Sequence, residues 1–228
     1  MWAASCVRSA GAPNVLSGAP WNATRKPSGD GSRWNGPASK KLHRLKAHLA
    51  FLDETGMLMA PLVRRTWAPQ GRTPILRQRT HSHKKVSVIG TLTVAPRRHR
   101  VGFCFRLHPD ANIDTEKVED FLSALARHLR GPIVLLWDRF TPHKSRKMNA
   151  YLAAHPHIHP EFFPPYAPEL NPTERVWGYL KLNPMANDPA LQLDDLTCST
   201  RRHARSLQRK ESLLRAFLKH ARLPLRLN

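Results

Sequence analysis

The chain has 228 residues, with 37 lysines and arginines against 16 aspartates and glutamates, and a formal net charge of +21. A charge of this size favours a polyanionic partner, usually nucleic acid. With 41% hydrophobic residues the whole chain is not a disordered basic tail, and its longest apolar run, residues 133–137, is too short to cross a bilayer. Three widely spaced cysteines exclude a disulfide framework and a cysteine zinc site, and with no secretory signal they indicate the cytoplasm.

The first segment, residues 1–44, differs in composition from the rest of the chain. Alanine, serine, glycine and proline account for 22 of its first forty residues, and no apolar periodicity runs through it. Such a composition cannot bury enough apolar surface to offset the entropy of folding. We therefore predict a disordered, basic, low-complexity tail over residues 1–44.

The predicted elements then alternate between strands and helices. A strand at 48–52 ends before Asp53, and a turn with short flanking strands is predicted at 67–71. The alternating segments 86–94 and 101–107 predict half-buried strands, joined as an antiparallel hairpin. A helix follows, capped by Asp114 or Thr115 and stopped by Gly131. The later predicted elements are a strand buried on both faces at 133–137, a helix at 144–154, a weaker strand at 158–163, a helix opened by Asn171, and a basic amphipathic helix over 207–221.

Three acidic residues stand at the ends of predicted elements. Asp53 and Asp138 each follow an apolar strand, where α/β sheets bind ligands, and Glu174 lies three residues after the helix cap Asn171. Taken singly, the aspartates are explained by turns or caps, and the glutamate by a capping box. Together, inside a strongly basic chain, they suit Mg²⁺ bound jointly with phosphate oxygens. Glu54 and Glu169 are left out, since Glu54 should point away from the Asp53 side of its strand.

Positive charge is concentrated between Thr55 and Pro109, where eleven lysines and arginines occur without one acid. A solvated basic face is the ordinary alternative to contacts with DNA phosphates. His143 and Lys144 either contact the DNA strand, support the acids or simply begin a helix, and Trp67 either stacks on an unpaired base or lies in the core. Trp177 is assigned to the core. The predicted phosphate contacts are Arg64, Arg65, Arg72, Arg77, Arg79, Lys84 and Lys85.

Several stretches together resemble one family. They are FLDETG at 51–56, RTWAPQG at 65–71, LWD at 136–138 with the His-Lys pair that follows, and PPYAPELNPTERVW at 164–177. The chain is similar, over about residues 46–225, to the mariner-like bacterial insertion-sequence transposases of the DDE superfamily, insertion-sequence-630 type. The long string at 164–177 is the most specific part of the resemblance.

The resemblance implies an α/β fold of the ribonuclease H-like type, a mixed sheet with helices packed on both faces. It implies a catalytic domain over residues 45–190 and a basic C-terminal helical segment, 191–228, packed on it. It assigns catalysis and metal binding to Asp53, Asp138 and Glu174, with thirty-five residues between the last two. The implied cofactor is two Mg²⁺ ions, which Mn²⁺ can replace. The implied reaction is DNA cleavage at transposon ends followed by strand transfer into target DNA.

The resemblance also implies partners. Members of the family usually carry a helix-turn-helix region before the catalytic domain, and residues 1–40 show no such pattern. We therefore expect the catalytic part of a split, frameshifted or decayed element, working with an upstream helix-turn-helix polypeptide. The expected partners are double-stranded DNA and a second copy of the chain, not a membrane, in the bacterial cytoplasm at the nucleoid. A non-catalytic DNA-binding remnant and another ribonuclease H-like nuclease, such as a junction resolvase, are the alternatives.

Overall fold

The computed structural model describes residues 2–5, 46–76, 84–165, 167–221 and 223, with backbone alone for 2–5. The described strands are β1 (Trp2–Ser5), β2 (His48–Leu58), β3 (Thr66–Pro69), β4 (Lys85–Val94), β5 (Val101–Pro109), β6 (Ile133–Trp137) and β7 (Ile158–Phe162). The described helices are α1 (Thr115–Leu129), α2 (Arg146–Ala154), α3 (Pro172–Leu182), α4 (Leu193–Gln208) and α5 (Glu211–His220).

Five strands form one mixed sheet in the order β5-β4-β2-β6-β7. The predicted hairpin is confirmed, since β4 runs antiparallel to both β2 and β5. β6 lies parallel to β2, with Phe51 opposite Leu136, and β7 lies parallel to β6. β2 and β6, the first and fourth strands of this sheet in chain order, are therefore neighbours, although about eighty residues of chain separate them. This adjacency brings the segments that carry Asp53 and Asp138 side by side.

The strand β2 is longer than its apolar run predicted. It continues to Leu58, so Asp53 lies inside the strand, opposite Gly90 of β4, and not after its end. The reason is that β4 supplies backbone partners along the whole of β2, whereas the parallel pairing with β6 stops at Phe51. Asp53 still lies just beyond the carboxyl end of β6. β4 was predicted to be half-buried, but nine of its ten residues are buried, because both faces of the strand are covered.

Helices cover both faces of the sheet, as predicted. Alternate residues of β2 divide between two cores: Leu49 and Phe51 pack on the face of α3, α4 and α5, while Ala50 and Leu52 pack on the face of α1 and α2. By this alternation Asp53 faces the α3 side and Glu54 the other. The C-terminal helices belong to the first core through Leu207, Leu214 and Leu218, among others.

The helix boundaries confirm most of the predictions. Asp114 caps α1 by accepting the N–H of Lys117, and the helix ends at Leu129, followed by Arg130 in a left-handed conformation. α2 begins later than predicted, at Arg146, because residues 141–144 form a 3-10 turn that Ser145 separates from the helix. The C-terminal helix predicted over 207–221 corresponds to α5 and the last two residues of α4, with a break at residues 209–210, and the rest of α4 was not predicted. The amphipathic pattern continues across this break, which hides it in the sequence.

Two differences concern the segments outside the main sheet. Residues Trp2–Ser5 form a strand that pairs antiparallel with β3, although no regular structure was expected within residues 1–44. A short extended segment needs no core to pair, because an edge strand offers it unpaired backbone groups. Residues 6–45, Arg77 and Arg79 lie outside the described residues.

Trp67 is 67% exposed, which rules out its alternative assignment to the core. No helix in the described part of the chain is long and apolar enough to cross a membrane.

Candidate active site

The three predicted acids line one cleft. Asp53 comes from the middle of β2, Asp138 from the end of β6 and Glu174 from the first turn of α3, and they border a space of about 410 Å³. The cleft opens at the carboxyl edge of the two parallel strands, where α/β sheets bind ligands. The rest of its lining is Arg139, Phe140, Phe163, Pro164, Pro165, Ala167, Pro168 and Asn171.

The start of α3 is fastened to β2, which places Glu174 at the cleft. The side chain of Asn171 accepts the N–H of Thr173 at 3.1 Å, and the Thr173 hydroxyl donates to the carbonyl oxygen of Phe51. The capping box that would have explained Glu174 is not formed, because the N–H of Asn171 donates to the carbonyl of Pro168 instead. The glutamate is therefore not used as the helix cap. Burial raises the pKa of Glu174. The positive charge of Lys181 acts to lower this pKa, and the negative charge of Asp138 acts to raise it.

Asp53 is the most buried of the three acids, with 7% of the residue exposed. Its Oδ2 accepts the indole N–H of Trp177 at 2.9 Å. Burial raises the pKa of Asp53 well above its ordinary value, and the negative charges of Glu174 and Glu54 raise it further. A carboxylate crowded by like charges in a cleft is stabilised by a bound cation.

Asp138 has a different environment, because 55% of its side chain is exposed. Its Oδ1 accepts the N–H of Phe140 at 2.9 Å and lies 3.0 Å from Nδ1 of His143. Partial burial acts to raise the pKa of Asp138, but the hydrogen bonds from His143 and Phe140 outweigh it and lower the pKa. Asp138 therefore stays ionised, with one oxygen held by the protein.

His143 lies beneath the site and not on its surface. Its side chain is fully buried, its ring stacks on Trp137 at 4.2 Å, and Nε2 lies 3.0 Å from Oε1 of Glu54. Although burial opposes protonation, the two acceptors Asp138 and Glu54 raise the pKa of His143 to about 9. Both ring nitrogens point at carboxylates inside the protein, which favours support of the acids over the predicted contact of His143 with the DNA strand. This histidine bridges and holds the acids.

Two residues of the site were missed in the sequence. Glu54 does point away from Asp53, as strand alternation predicted, but the 3-10 turn brings His143 to meet it there. Lys181 lies seven residues after Glu174, on the same face of α3, and donates to the hydroxyl of Thr55 at 2.6 Å. Burial lowers its pKa, while Glu174 and Asp53 act to raise it. The seven-residue spacing is the signal that could have identified Lys181.

The predicted phosphate contacts divide into two groups. The guanidinium of Arg64 donates to the carbonyl of Leu182 and, at 2.9 Å, to Asn183, while its backbone exchanges two hydrogen bonds with the side chain of Asn187. Arg64 thus closes the C-terminal end of α3, so its positive charge already has partners within the protein. The other described candidates lie at the surface, with Arg65, Arg72, Lys84 and Lys144 exposed and Lys85 half-buried.

The cleft fits a divalent cation that prefers oxygen ligands. Asp53, Asp138 and Glu174 are all carboxylates, and among the described residues each aspartate has a hydrogen-bond partner on one oxygen only. Mg²⁺ and Mn²⁺ bind such ligands together with water and phosphate oxygens. Ligand atoms of Glu54, Asp138 and His143 also lie within 4.8 Å of one another, but the two nitrogens of His143 are hydrogen-bonded to the two carboxylates. That second cluster is therefore a hydrogen-bonded bridge.

A mixed sheet of this order, with helices on both faces, defines a ribonuclease H-like fold. The chain belongs to the DDE superfamily endonucleases, a family that matches residues 48–197. No curated protein is significantly similar to the chain.

Solved structures with the same fold come from the Mos1 mariner transposase. The Mos1 paired-end complex with Mn has a TM-score of 0.59 at 14% identity, over 84% of this chain and 58% of that chain. The paired-end complex with Mg has a TM-score of 0.57 at 13% identity, over 91% and 64%. The complex with the left transposon end has a TM-score of 0.51 at 14% identity, over 90% and 68%. The chain thus spans about three fifths of the length of the first two.

Proposed function

We propose that this domain is the catalytic part of a transposase that cuts DNA at the ends of a mobile element and joins the freed 3′-hydroxyl to target DNA. The observation that carries the proposal is the convergence of Asp53, Asp138 and Glu174 on one cleft. These acids are far apart in the sequence and come from three different elements. Their meeting is expected of a metal-dependent nuclease, and it disfavours a non-catalytic remnant.

The proposed cofactor is two Mg²⁺ ions, with Mn²⁺ as a substitute, bound by Asp53, Asp138 and Glu174. Such a metal pair activates the attacking oxygen and stabilises the leaving oxygen of an in-line phosphoryl displacement. The chain's own residues prepare the site for this. Lys181 and the His143 imidazolium place two positive charges beside four carboxylates, which reduces the repulsion among these acids. The four are Asp53, Glu54, Asp138 and Glu174.

The proposed substrate is double-stranded DNA, held by its phosphates. Arg65, Arg72, Lys84 and Lys144 are exposed on a chain with a net charge of +21. Lys144 directly follows His143 and is six residues from Asp138, which supports a contact with the strand being cut. Arg77, Arg79 and Lys85 remain predicted contacts. Contacts of this kind hold DNA without reading its sequence.

We infer that the transposase is of the bacterial insertion-sequence-630 type and acts at the nucleoid. The string at 164–177 supports this, and the similar structures are described as paired-end complexes of a mariner transposase. Recognition of the end sequence we assign to a helix-turn-helix polypeptide of the same element, with two copies of the chain acting on paired ends.

The proposal is tested with purified chain and duplexes that carry the terminal inverted repeats found beside its gene. With Mg²⁺, the native chain with the helix-turn-helix polypeptide should nick the end duplex, and Asp53→Asn, Asp138→Asn and Glu174→Gln should each abolish nicking. Glu169→Gln is the matched control, because this residue precedes the same helix outside the acid cluster. Duplex affinity in EDTA should not fall in any variant. Normal nicking by Asp138→Asn would show that the site is assigned wrongly.

A further inference from the structure

The indole of Trp177 makes a polar contact that its assignment to the core did not predict. Only 3% of the residue is exposed, yet its Nε1–H is directed at Oδ2 of Asp53, 2.9 Å away. A buried tryptophan N–H needs an acceptor, and here the acceptor is a proposed metal ligand. Trp177 lies one turn after Glu174 on α3, so a single helix carries one of the acids and a hydrogen-bond donor to another.

The ring of Trp177 is held tightly in place. It lies against the backbone of β4 at Gly90, the residue opposite Asp53, where an added Cβ would stand 2.4 Å from Cη2 and 2.8 Å from Cζ2 of the indole. Phe103 packs against it edge to face, with ring centroids 5.8 Å apart. The absence of a side chain at Gly90 is thus what lets the indole come this close to the sheet. The N–H is therefore fixed in direction as well as in distance.

A fixed donor on one oxygen decides which oxygen the carboxylate presents to the cleft. With Oδ2 of Asp53 bonded to Trp177, Oδ1 is the oxygen that the described residues leave for another ligand. Asp138 follows the same plan, since Oδ1 is held by the N–H of Phe140 and by His143, which leaves Oδ2. Partners that orient a ligating group are a general requirement of metal sites.

We propose that Trp177 is a positioning residue, whose indole N–H holds Oδ2 of Asp53 so that Oδ1 faces the divalent cation. This inference rests on the proposed function, because it assumes that Asp53 is a metal ligand. It adds a role for a buried side chain that is not part of the cleft lining. Loss of the N–H alone should leave the carboxylate free to rotate and should weaken cation binding.

The test measures Mn²⁺ affinity by calorimetry and by electron paramagnetic resonance, without DNA. Trp177→Phe keeps an aromatic ring and removes the donor, and should weaken Mn²⁺ binding about 10- to 100-fold. Phe217→Leu is the matched control, because it loosens the packing of α3 at Tyr179, whose ring centroid lies 5.8 Å from that of Phe217, and leaves the contacts of the indole in place. It should lower the melting temperature and bind Mn²⁺ like the native chain. Affinity for duplex DNA in EDTA should be unchanged in both variants.

A second substitution keeps the test decisive if Trp177→Phe does not fold. Benzothienylalanine in place of Trp177 keeps the shape of the indole and replaces only the N–H group by sulfur, and it should weaken Mn²⁺ binding in the same way. Native Mn²⁺ affinity in this folded variant would overturn the positioning role. If the native chain itself binds Mn²⁺ no better than Asp53→Asn does, the metal site of the proposed function fails, and that result is distinct from failure at Trp177 alone.

Discussion

The hydroxyl of Thr173 donates to the carbonyl oxygen of Phe51, so the first turn of α3 is fastened to the strand that carries Asp53. Thr173 is completely buried, and 122 residues separate the two partners. Through this bond the helix start that presents Glu174 is held in register with the strand that presents Asp53.

Thr173→Val keeps the shape of the side chain and removes the hydroxyl donor. Because the carbonyl of Phe51 is then left without this partner, we expect a loss of about 1–3 kcal/mol in the free energy of unfolding, measured with urea. We also expect weaker Mn²⁺ binding, since Glu174 is no longer held beside Asp53. Thr197→Val is the control: its hydroxyl bonds within α4, to Leu193, and Mn²⁺ affinity should not change. Equal Mn²⁺ affinity in both variants would contradict the prediction.

Asp53→Asn should stabilise the protein in EDTA at neutral pH. Burial and the charges of Glu174 and Glu54 raise the pKa of Asp53 above its unfolded value, so the folded state binds this proton more tightly. The stability that Asp53 contributes is therefore lost as pH rises from about 4, the ordinary value, through the raised pKa. Urea unfolding at about pH 4 and about pH 8 should show the gain from the substitution only at the higher pH.

Asp138→Asn is the comparison for this pH effect and should behave in the opposite way. The hydrogen bonds from His143 and Phe140 lower the pKa of Asp138, so its charged form contributes stability above its ordinary pKa, and this is lost as pH falls. Asp138→Asn should therefore destabilise the protein at about pH 8. A gain in stability from both substitutions would show that the two aspartates do not differ in environment.

Arg64→Ala and Arg65→Ala should separate structure from DNA binding. Arg64 bonds to the C-terminal end of α3, so its loss should cost about 1 kcal/mol of unfolding free energy and leave the salt dependence of duplex binding unchanged. Arg65 is exposed, and its loss should reduce the slope of log affinity against log salt by about 0.9, the value for one phosphate contact. A flatter slope for Arg64→Ala than for Arg65→Ala would reverse these assignments.

His143→Asn and Lys144→Ala should separate metal binding from DNA binding at the cleft. His143 is buried between Glu54 and Asp138, so its loss should weaken Mn²⁺ binding or cleavage about 10- to 100-fold without changing duplex affinity in EDTA. Lys144 is exposed, and its loss should weaken duplex binding at low salt while Mn²⁺ affinity is kept. Weaker duplex binding in EDTA by the folded His143→Asn variant would instead support the predicted contact of His143 with DNA.

Much of the fold could be predicted because its signals are local. The unbroken apolar run of β6, the alternation in β5 and the capped amphipathic pattern of α1 each lie within one element. The boundary of β2 could not be predicted in this way. The end of β2 depends on β4, which continues to pair with β2 beyond its apolar run, through the residues that begin at Asp53.

The amino-acid sequence by itself determined most of the strands and helices, the mixed sheet implied by the resemblance and the three acids of the cleft. Tertiary structure alone decided how those acids are held. Trp177 reaches Asp53 across 124 positions and His143 reaches Glu54 across 89. No periodicity records such a contact, because it depends on the packing of a helix or a turn against a strand. Hydrogen-bond geometry requires distances correct to a few tenths of an ångström, and in this protein they are set only when the sheet and its two layers of helices close together.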